Sequence, residues 1–363
     1  MPRTSHIRGL DGIRAVAFFL VLGGHCGFFW IPNGFGVTVF FFLSGYLITT
    51  LLRQEWSHTG SLSVSHFYIR RAFRILPPFL VALIFGTVLA LGGVTASQVH
   101  WKAVTAALLF LTNYSALLVG ATVPAGLTVL WSLAVEEHFY LIFPRLYRGL
   151  LRRDVHRHRQ VLCLGCICFL ALAWRTILMT VFHAPWFRVY SGTDTRLDSI
   201  LFGSIMAIAI NPAVDNLTRL TKRQCASAAL VGLVILIVSI AVRGEIFRQT
   251  IRYTVQAVAL LPCFLFVVRY PGSAVTRWLE WRFLVHIGEL SYSLYLVHAI
   301  ILTVVHIWVT TNPVVSVGLA LAASYVIAWL VRRHIELPSY KMRDRVLRQL
   351  EKKRIYGTTA ATA

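Results

Sequence analysis

The sequence is poor in charged residues, and acidic residues are the scarcest of them. Only 13% of its 363 residues are charged, and 14 acidic residues stand against 35 lysines and arginines. Soluble domains carry about 25% charged residues, so this shortage excludes an ordinary soluble globular domain. With 57% hydrophobic residues, the composition predicts an all-α, polytopic transmembrane helical bundle.

Fixed-period repeats, low-complexity tracts and a separate basic domain are all absent from the sequence. The net charge of +21 lies mostly between the apolar runs, which indicates orientation in a membrane rather than nucleic-acid binding. We therefore expect membrane lipid and no nucleic acid among the partners, and no soluble catalytic domain at either end. An anionic cofactor on the basic side is an alternative explanation of the charge.

A complete metal-binding pattern is also lacking. Cys163, Cys166 and Cys168 have a spacing close to that of a metal site, but no second Cys or His pair completes it. Nearly all of the six cysteines lie in apolar segments. We therefore expect buried, unreactive thiols and no metal ion.

Eleven apolar runs have spanning or near-spanning length, at 12–30, 36–52, 76–94, 101–119, 130–147, 160–182, 197–210, 226–242, 252–268, 286–309 and 313–332. The loops Arg53–Arg74 and Arg145–Arg159 are basic, so both should be cytoplasmic. The chain must then cross the membrane an even number of times between Arg74 and Arg145. Three runs lie there. The run 101–119 contains Asn113 and Tyr114, so we predict that it is re-entrant or broken.

This topology predicts about ten crossings of the cell (inner or plasma) membrane, with both termini in the cytoplasm. Three basic residues fall on the predicted outer side and oppose it, namely Arg243, Arg248 and Arg252. We predict an integral-membrane domain over residues 1–340. A basic, disordered cytoplasmic tail is predicted to follow at 341–363.

The first run, Leu10–Phe29, places three ionisable side chains in a helix that otherwise suits lipid. Arg14 and His25 are eleven residues apart, which puts them within about 20° of each other around a helix and roughly 16 Å apart along it. Asp11 falls within about 60° of the same line. Such groups cost roughly 2.5–3.5 kcal/mol each in a membrane, so the stripe predicts one wall of a reaction site.

A cluster of arginines follows the second run. Arg70, Arg71 and Arg74 stand just before a run that contains Pro77 and Pro78. Guanidinium groups bind phosphates in a bidentate manner, which lysines do less well. Phosphate binding and a positive-inside anchor both explain the cluster.

Polar residues recur at helical spacing in the segment LWSLAVEEHFYLIFP. Ser132, Glu136 and Tyr140 are four residues apart, so they line one face of a helix. A carboxylate inside the membrane must be paired or protonated. Glu136 is therefore either the structural partner of an intramembrane arginine, such as Arg14 or Arg175, or a direct participant in catalysis.

Two later segments carry polar residues of the same kind. Arg196 and Asp198 open an apolar run and are expected to pair locally at the interface. Ser291, Tyr295 and His298 lie at i, i+4 and i+7 and share one helix face. His298 is either a packing residue with satisfied hydrogen bonds or a second candidate base.

Local features also predict how two helices pack and end. Ser44 and Gly45 lie in the middle of the second run, where small residues let helices approach closely. Glu336 stands two residues before Pro338. Because a helix usually ends before a proline, this pair predicts a helix end.

Taken together, these segments resemble the acyltransferase family 3, integral-membrane O-acyltransferases that modify sugars. The matching elements run in the family's order: LDGIRA with ten residues between Arg14 and His25, FFFLSGYLI, RRAFRILPPF, LWSLAVEEHFYLIFP, RLDSILFG, SYSLYLVH and the late ELP. They extend over positions 9 to 338. Many members carry an additional soluble esterase-like domain at the C-terminus, and we expect this chain to be the membrane domain without it.

The resemblance implies a ten-helix domain that uses cytosolic acyl-CoA, most often acetyl-CoA, as co-substrate with no permanently bound cofactor. The acyl group would esterify a carbohydrate hydroxyl, commonly on the far side of the membrane. His25 is implied as the essential base, and Arg14, Arg70, Arg71 and Arg74 as residues that bind or position acyl-CoA. The acceptors to consider are O-antigen, exopolysaccharide, a lipo-oligosaccharide or a macrolide.

We expect neutral His25 to take the proton of the acceptor hydroxyl as its oxygen attacks the thioester. Glu136 would orient an imidazole or bind the acceptor. Supporting roles are expected for Asp11, Ser132, Tyr140, Asp198, Ser291, Tyr295 and His298. Direct transfer and an acyl-His intermediate both stay open, and the alternative function is a transporter or flippase of a lipid-linked sugar that uses the same polar cavity.

Overall fold

A computed structural model describes residues 7–28, 31–217 and 220–360, and every regular element in these ranges is helical. The outermost residues of the predicted membrane domain and tail, 1–6 and 361–363, lie outside the described residues. The α-helices are α1 (Arg8–His25), α2 (Asn33–Thr59), α3 (Val64–Leu91), α4 (Trp101–Leu108), α5 (Ser115–Val119), α6 (Leu130–Arg152), α7 (Arg157–Thr180), α8 (Trp186–Ser191), α9 (Thr193–Ala209), α10 (Lys222–Ala241), α11 (Glu245–Gln249), α12 (Ile251–Arg269), α13 (Ala274–Leu279), α14 (Arg282–Trp308), α15 (Pro313–Val331) and α16 (Leu337–Ala360).

The chain divides into two compact units, each assembled from separate segments. The first unit comprises Met1–Leu62, His100–Val123 and Thr128–Ser291, and the second comprises Ser63–Val99, Pro124–Leu127 and Tyr292–Ala363. The first unit therefore contains α1, α2, α4 to α13 and the start of α14. The predicted boundary between a membrane domain and a tail at residue 340 stays a prediction.

Glycines bring α2 and α9 of the first unit into close contact. A Cβ atom on Gly45 would overlap the carbonyl oxygen of Ile200, and one on Gly203 would overlap that of Phe42. The small residues in the middle of α2 were predicted to allow such an approach, and this is confirmed. Around the crossing, the Phe42 ring packs on Phe264 of α12 with their centroids 4.6 Å apart.

The position of α1 in the first unit is fixed by backbone contacts that leave no room for side chains. A Cβ atom on Gly12 would overlap the carbonyl oxygen of Leu279 in α13. A Cβ atom on Gly288 of α14 would overlap the carbonyl oxygen of Asp11. The helix that carries the predicted base is therefore held tightly near its N-terminus, where Asp11 and Arg14 lie.

The segment 101–119 is broken, as its sequence predicted. The first piece, α4, ends at Leu108, and Phe110 then adopts a φ of 56°, which interrupts a helix at a bulky residue. A 3₁₀ turn at Thr112–Tyr114 leads into α5. Both pieces are far shorter than the roughly 20 residues that a spanning helix needs.

In the second unit, α16 compensates for a proline in the middle of α3. Pro77 has no backbone N–H, so the carbonyl of Phe73, four residues earlier, loses its helical partner. The Ser339 hydroxyl of α16 donates to that carbonyl at 2.8 Å. On the same turn, the Tyr292 hydroxyl of α14 donates to the Ile75 carbonyl at 2.9 Å. A hydroxyl group of another helix thus satisfies the carbonyl that Pro77 leaves without a helical partner, and a second hydroxyl binds the carbonyl two residues later.

The predicted helix end at Glu336 and Pro338 is wrong. The chain passes from α15 through a π-helical turn at Arg332–Glu336 directly into α16. Pro338 is the second residue of α16 and lacks the N–H that would bond four residues back, and the π-helical turn lies in that stretch of the helix. The backbone up to Ala360 is helical where a disordered tail was predicted, and the many Leu, Lys, Arg, Gln and Glu residues there favour a helix.

Seven helical segments of the described chain are long and apolar enough to cross a membrane. They are Gly34–Thr59, Val64–Leu91, Arg157–Thr180, Lys222–Ala241, Ile251–Arg269, Arg282–Trp308 and Pro313–Glu351. These segments confirm the all-helical, multi-pass membrane class. The helices α1, α6 and α9 are not among them, so the count of about ten crossings stays a prediction.

Candidate functional site

The stripe on α1 begins with an ion pair. The Arg14 guanidinium donates through Nη1 to the Asp11 carboxylate, one helical turn earlier. The Asp11 side chain is 4% exposed and that of Arg14 is 19% exposed, so the pair is largely sheltered. Asp11 therefore holds the Arg14 guanidinium in orientation. His25 is the last residue of α1 and is half-buried, roughly 16 Å further along the helix axis.

The polar face of α6 contacts α2 through hydroxyl groups. The Tyr140 hydroxyl donates to the Glu136 carboxylate at 3.1 Å and also contacts the Ser44 hydroxyl of α2. The Ser132 hydroxyl donates to the Val129 carbonyl at 3.1 Å, within its own helix turn. The structure thus brings Glu136 and Tyr140 together, while the Ser132 hydroxyl bonds to its own helix.

Asp198 is the partner of Arg175, and this corrects two predictions. The Arg175 guanidinium donates to both carboxylate oxygens of Asp198, at 3.2 and 3.1 Å, and both side chains are fully buried. The Thr254 hydroxyl of α12 also donates to Asp198, at 2.5 Å. The predicted local pair between Arg196 and Asp198 is therefore wrong, and so is the pairing of Glu136 with Arg175.

Arg196 lies in a cage of aromatic rings that the sequence did not reveal. Its guanidinium carbon lies 3.9 Å from the ring centroid of Tyr253, 5.3 Å from Tyr190, 5.5 Å from Phe41 and 5.9 Å from Trp131. One spacing rule could have indicated this arrangement. Residues at i and i+2 do not face each other on a helix, so Arg196 and Asp198 must find partners on different elements.

A polar network joins the broken segment to the first turn of α9. The Asn113 amide donates to the Thr193 hydroxyl at 2.9 Å, and His138 Nδ1 of α6 lies 2.7 Å from the same hydroxyl. The Tyr114 hydroxyl donates to the Asp194 carboxylate at 2.6 Å. His138 and Asp194 were not singled out from the sequence, because neither belongs to a recognisable spacing pattern.

Asp194 is also held by two further donors. The Arg188 guanidinium binds both of its carboxylate oxygens, at 3.0 and 2.5 Å, and the Trp174 indole N–H donates at 2.6 Å. The acid is therefore paired with one cation and saturated with donors. This arrangement anchors the broken segment rather than offering a free catalytic carboxylate.

The second unit holds the arginine cluster and the second histidine. Arg70 and Arg74 lie four residues apart on one face of α3, with Arg71 beside them. His298 of α14 is fully buried, and its Nδ1 lies 2.7 Å from the Tyr295 carbonyl of its own helix. A carbonyl only accepts, so His298 Nδ1 carries the proton. His298 is thus oriented by its own helix, in line with its packing interpretation.

The predicted site residues are distributed over both units. The first unit contains Asp11, Arg14, His25, Ser132, Glu136, Tyr140, Asp198 and Ser291, and the second contains Arg70, Arg71, Arg74, Tyr295 and His298. Ser291 is buried in α14 at the end of the first unit. Their catalytic and binding roles stay predictions.

Two of the cysteines differ from expectation. Cys163 and Cys166 of α7 are exposed, whereas Cys168 is buried and lies 3.9 Å from the Asp198 carbonyl. The prediction of buried thiols is therefore wrong for the two exposed residues, because they lie on the face of α7 that does not pack on α9. Among the described residues, no group of three His, Cys, Asp or Glu side chains has the arrangement of a metal site.

Comparison with known proteins identifies the family to which the chain belongs. A model of the acyltransferase domain of acyltransferase family 3 matches residues 7–333. The peptidoglycan O-acetyltransferase OatA of Listeria monocytogenes is 30% identical over 365 residues, covering 93% of this chain and 56% of the relative. The O-acetyltransferase OatA of Staphylococcus aureus is 29% identical over 366 residues, covering 96% of this chain and 60% of the relative. No solved structure matches the chain.

The chain spans about three fifths of the length of the curated relatives it matches. The matched region of the family model nevertheless extends over parts of both units and includes every predicted site residue. An acyltransferase is thereby favoured over the transporter that the sequence left as an alternative. With its apolar spanning helices and a match over residues 7–333, the chain belongs to the acyltransferase family 3, as a multi-pass membrane protein.

Proposed function

We propose that the protein is a membrane-bound O-acyltransferase that moves an acyl group, most often acetyl, from acyl-CoA to a hydroxyl of a carbohydrate or glycoconjugate. The single observation that carries this proposal is the family match over residues 7–333. The relatives are named as O-acetyltransferases, one of them of peptidoglycan, which makes a cell-surface glycan the acceptor class to test first.

In the proposed reaction, His25 is the general base. Its imidazole takes the proton of the acceptor hydroxyl while that oxygen attacks the thioester carbonyl carbon. The tetrahedral adduct then collapses, the carbon–sulfur bond breaks, and the proton passes to the departing CoA thiolate. The products are the acylated acceptor and free CoA. The position of His25 at the end of α1 supports this role, because an acceptor can reach a helix end without entering the bilayer.

Arg14 is proposed to position the acyl-CoA molecule. The ion pair with Asp11 holds the guanidinium in place, so Arg14 can bind the pantetheine arm or a phosphate without losing side-chain entropy on binding. The distance of roughly 16 Å between Arg14 and His25 suits an extended pantetheine arm, which would carry the thioester from the cytoplasmic side toward the base.

The arginines of α3 are proposed to bind the phosphates of the donor. Arg70 and Arg74 share a helix face, and guanidinium groups recognise phosphate oxygens in a bidentate manner. Glu136 is proposed to bind the acceptor or to orient an imidazole, and the Tyr140 hydroxyl that donates to its carboxylate helps to hold it in place.

The proposed topology adds α1, α6 and α9 to the seven apolar segments, which gives about ten crossings. Each of the three helices carries ionisable residues that face other protein groups, such as the Arg14–Asp11 pair of α1. Membrane helices tolerate such residues where they are paired inside protein. Both termini are placed in the cytoplasm and the protein in the plasma (inner) membrane.

Release of free CoA thiol tests the proposal. Membranes that contain the protein should release CoA from acetyl-CoA only when a glycan acceptor is added, with one ester formed for each thiol. A transporter or flippase would move the glycan without releasing thiol. Radiolabelled acetyl on the protein without an acceptor would indicate an acyl-His intermediate, whereas its absence would indicate direct transfer.

A further inference from the structure

Arg196 has guanidinium nitrogens without a hydrogen-bond partner, although its side chain is completely buried. Its Nη2 donates to the Thr38 hydroxyl of α2 at 3.0 Å. Nε and Nη1 have no acceptor in the described part of the chain. Buried donors are nearly always satisfied in proteins, and a charged donor left unsatisfied is especially costly. Arg196 therefore lacks acceptors that another molecule can supply.

The surrounding charges leave this arginine with an uncompensated positive charge. The nearby carboxylate, Asp198, is bound through both oxygens by Arg175 and accepts further from Thr254. The Asp194 carboxylate is bound by Arg188 through both of its oxygens. Each acid thus already has its own cation, and Arg196 carries one positive charge in excess.

The aromatic cage compensates for this charge only in part. The Tyr253 ring lies nearest, at 3.9 Å, and such rings attract a cation through their negative faces. A ring face does not accept two N–H groups in the way that oxygen atoms do. The cage therefore favours the presence of a cation but leaves the hydrogen-bonding capacity of Nε and Nη1 unused.

The cage lies toward the end of α1 that carries His25. Its Tyr190 ring contacts the backbone of α2 at Gly34, where an added Cβ atom would be 3.4 Å away. Two residues further, Gly36 lies against Val21 of α1. Val21 precedes His25 by four residues, which is roughly 6 Å along the helix. Arg196 is thus linked, through Tyr190 and the start of α2, to the half of α1 that ends at His25.

We propose that Arg196 binds a carboxylate carried by the acceptor glycan, so that the enzyme selects acidic sugars. This inference rests on the proposed function. One guanidinium with one uncompensated charge matches the single charge of a carboxylate better than the higher charge of a phosphate monoester.

The test compares two acceptors that differ only in charge. A disaccharide with a glucuronic acid residue and its methyl ester are supplied with acetyl-CoA, and release of CoA thiol is followed. For the wild-type protein, the KM of the acid should be lower than that of the ester by roughly ten- to hundredfold, the range expected for hydrogen bonds to a charged group. Arg196→Gln should remove this preference and leave the KM of acetyl-CoA unchanged.

Arg252→Gln is the matched control, because Arg252 also lies near the Tyr253 ring, at 5.6 Å, but is outside the cage. It should keep the preference for the acid. Arg196→Lys retains the charge with a different donor geometry and should show an intermediate preference. If Arg196→Gln prefers the acid as strongly as the wild type does, or if the wild type accepts both sugars equally, the assignment is overturned.

A binding measurement separates this assignment from the proposed function. The thermal unfolding midpoint of the wild-type protein in detergent is measured with the acid and with the ester, without acetyl-CoA. A shift with the acid alone supports the carboxylate site even if no acceptor causes thiol release. Equal shifts, or none, overturn it. This measurement needs no variant, so it also decides the case in which Arg196→Gln does not fold.

Discussion

Arg175 of α7 and Asp198 of α9 form an ion pair in which both side chains are fully inaccessible to solvent. The pair joins two helices that are separated by a further short helix in the chain, and Thr254 of α12 donates to the same carboxylate. Because charges in such surroundings must be paired, three helices are tied together at one point. Asp198 is therefore first a structural residue.

Removal of one member of this pair should strongly destabilise the fold. We expect Asp198→Leu to lower the free energy of unfolding in detergent by about 3–5 kcal/mol, because it leaves the Arg175 charge buried and uncompensated. Arg157→Gln is the control, since Arg157 bonds Asp215 from a side chain that is 62% exposed. It should cost about 1 kcal/mol or less. Equal losses in the two variants would contradict this role.

The contact between α2 and α9 should also be sensitive to substitution of a single glycine. We expect Gly45→Ala to destabilise the protein by about 1–3 kcal/mol, because the new Cβ atom meets the Ile200 backbone and forces the helices apart. Gly165→Ala on α7 is the matched control, since nothing lies within 4 Å of the added atom. It should be neutral or stabilising by about 0.5–1 kcal/mol. The unfolding midpoints of the two variants in detergent distinguish these outcomes.

These two contacts mark what can and cannot be predicted from the sequence. The close approach at Gly45, the break in 101–119 and the Asp11–Arg14 pair follow from local spacing and residue size, so they were predictable. The partner of Asp198 was not, because it depends on which helices pack together. Likewise, Thr38 and Arg196 are 158 residues apart in the chain, and no local rule joins them.

Asp215 should make the stability of the protein depend on acidic pH. This residue lies in the loop after α9. Burial acts to raise its pKa, but hydrogen bonds from Arg53, at 3.0 and 2.8 Å, and from the Asn211 backbone amide outweigh burial. The pKa of Asp215 is therefore below its ordinary value. A carboxylate with a lowered pKa stabilises the fold at pH values above its unfolded-state pKa, about 3.9, and this contribution is lost as the pH falls through the folded-state value.

The measurement is the difference in unfolding midpoint between the wild type and Asp215→Asn across pH 7 to 3. We expect a constant difference above about pH 4 that shrinks at lower pH. Asp344→Asn is the control, because the Asp344 side chain is 52% exposed and pairs with its neighbour Arg343 on α16. A difference that grows on acidification would have the wrong sign and refute the role of Asp215.

His25→Ala should abolish turnover without unfolding the protein. General-base catalysis contributes about 10²- to 10⁴-fold, so we expect a loss of at least about a hundredfold in kcat. His158→Ala, at an exposed position near the start of α7, should retain full activity. CoA release from acetyl-CoA in the presence of an acceptor measures both variants. Activity of His25→Ala equal to that of the wild type would eliminate His25 as the base.

Arg70 and Arg74 offer the sharpest test of donor binding, because their two explanations predict different results. As phosphate ligands, their replacement by Gln should raise the KM of acetyl-CoA by roughly tenfold for each lost charge-assisted hydrogen bond. The KM of acetyl-pantetheine, which has no phosphate, should not change. As positive-inside anchors alone, they should lower the maximal rate with both donors alike, because less protein is correctly inserted, and leave both KM values unchanged.

Arg348→Gln on α16 controls for the loss of a cation in the same unit, since Arg348 is exposed and its guanidinium donates to the Asp344 backbone carbonyl. It should leave both KM values unchanged. Raising the salt concentration adds an independent measure, because salt screens an exposed contact between arginine and phosphate. Added salt should therefore raise the KM of acetyl-CoA more for the wild type than for Arg74→Gln. Arg74 is exposed, so this difference should be largest there. If the maximal rate falls with both donors while neither KM changes, the cluster anchors the helix and the phosphates bind elsewhere.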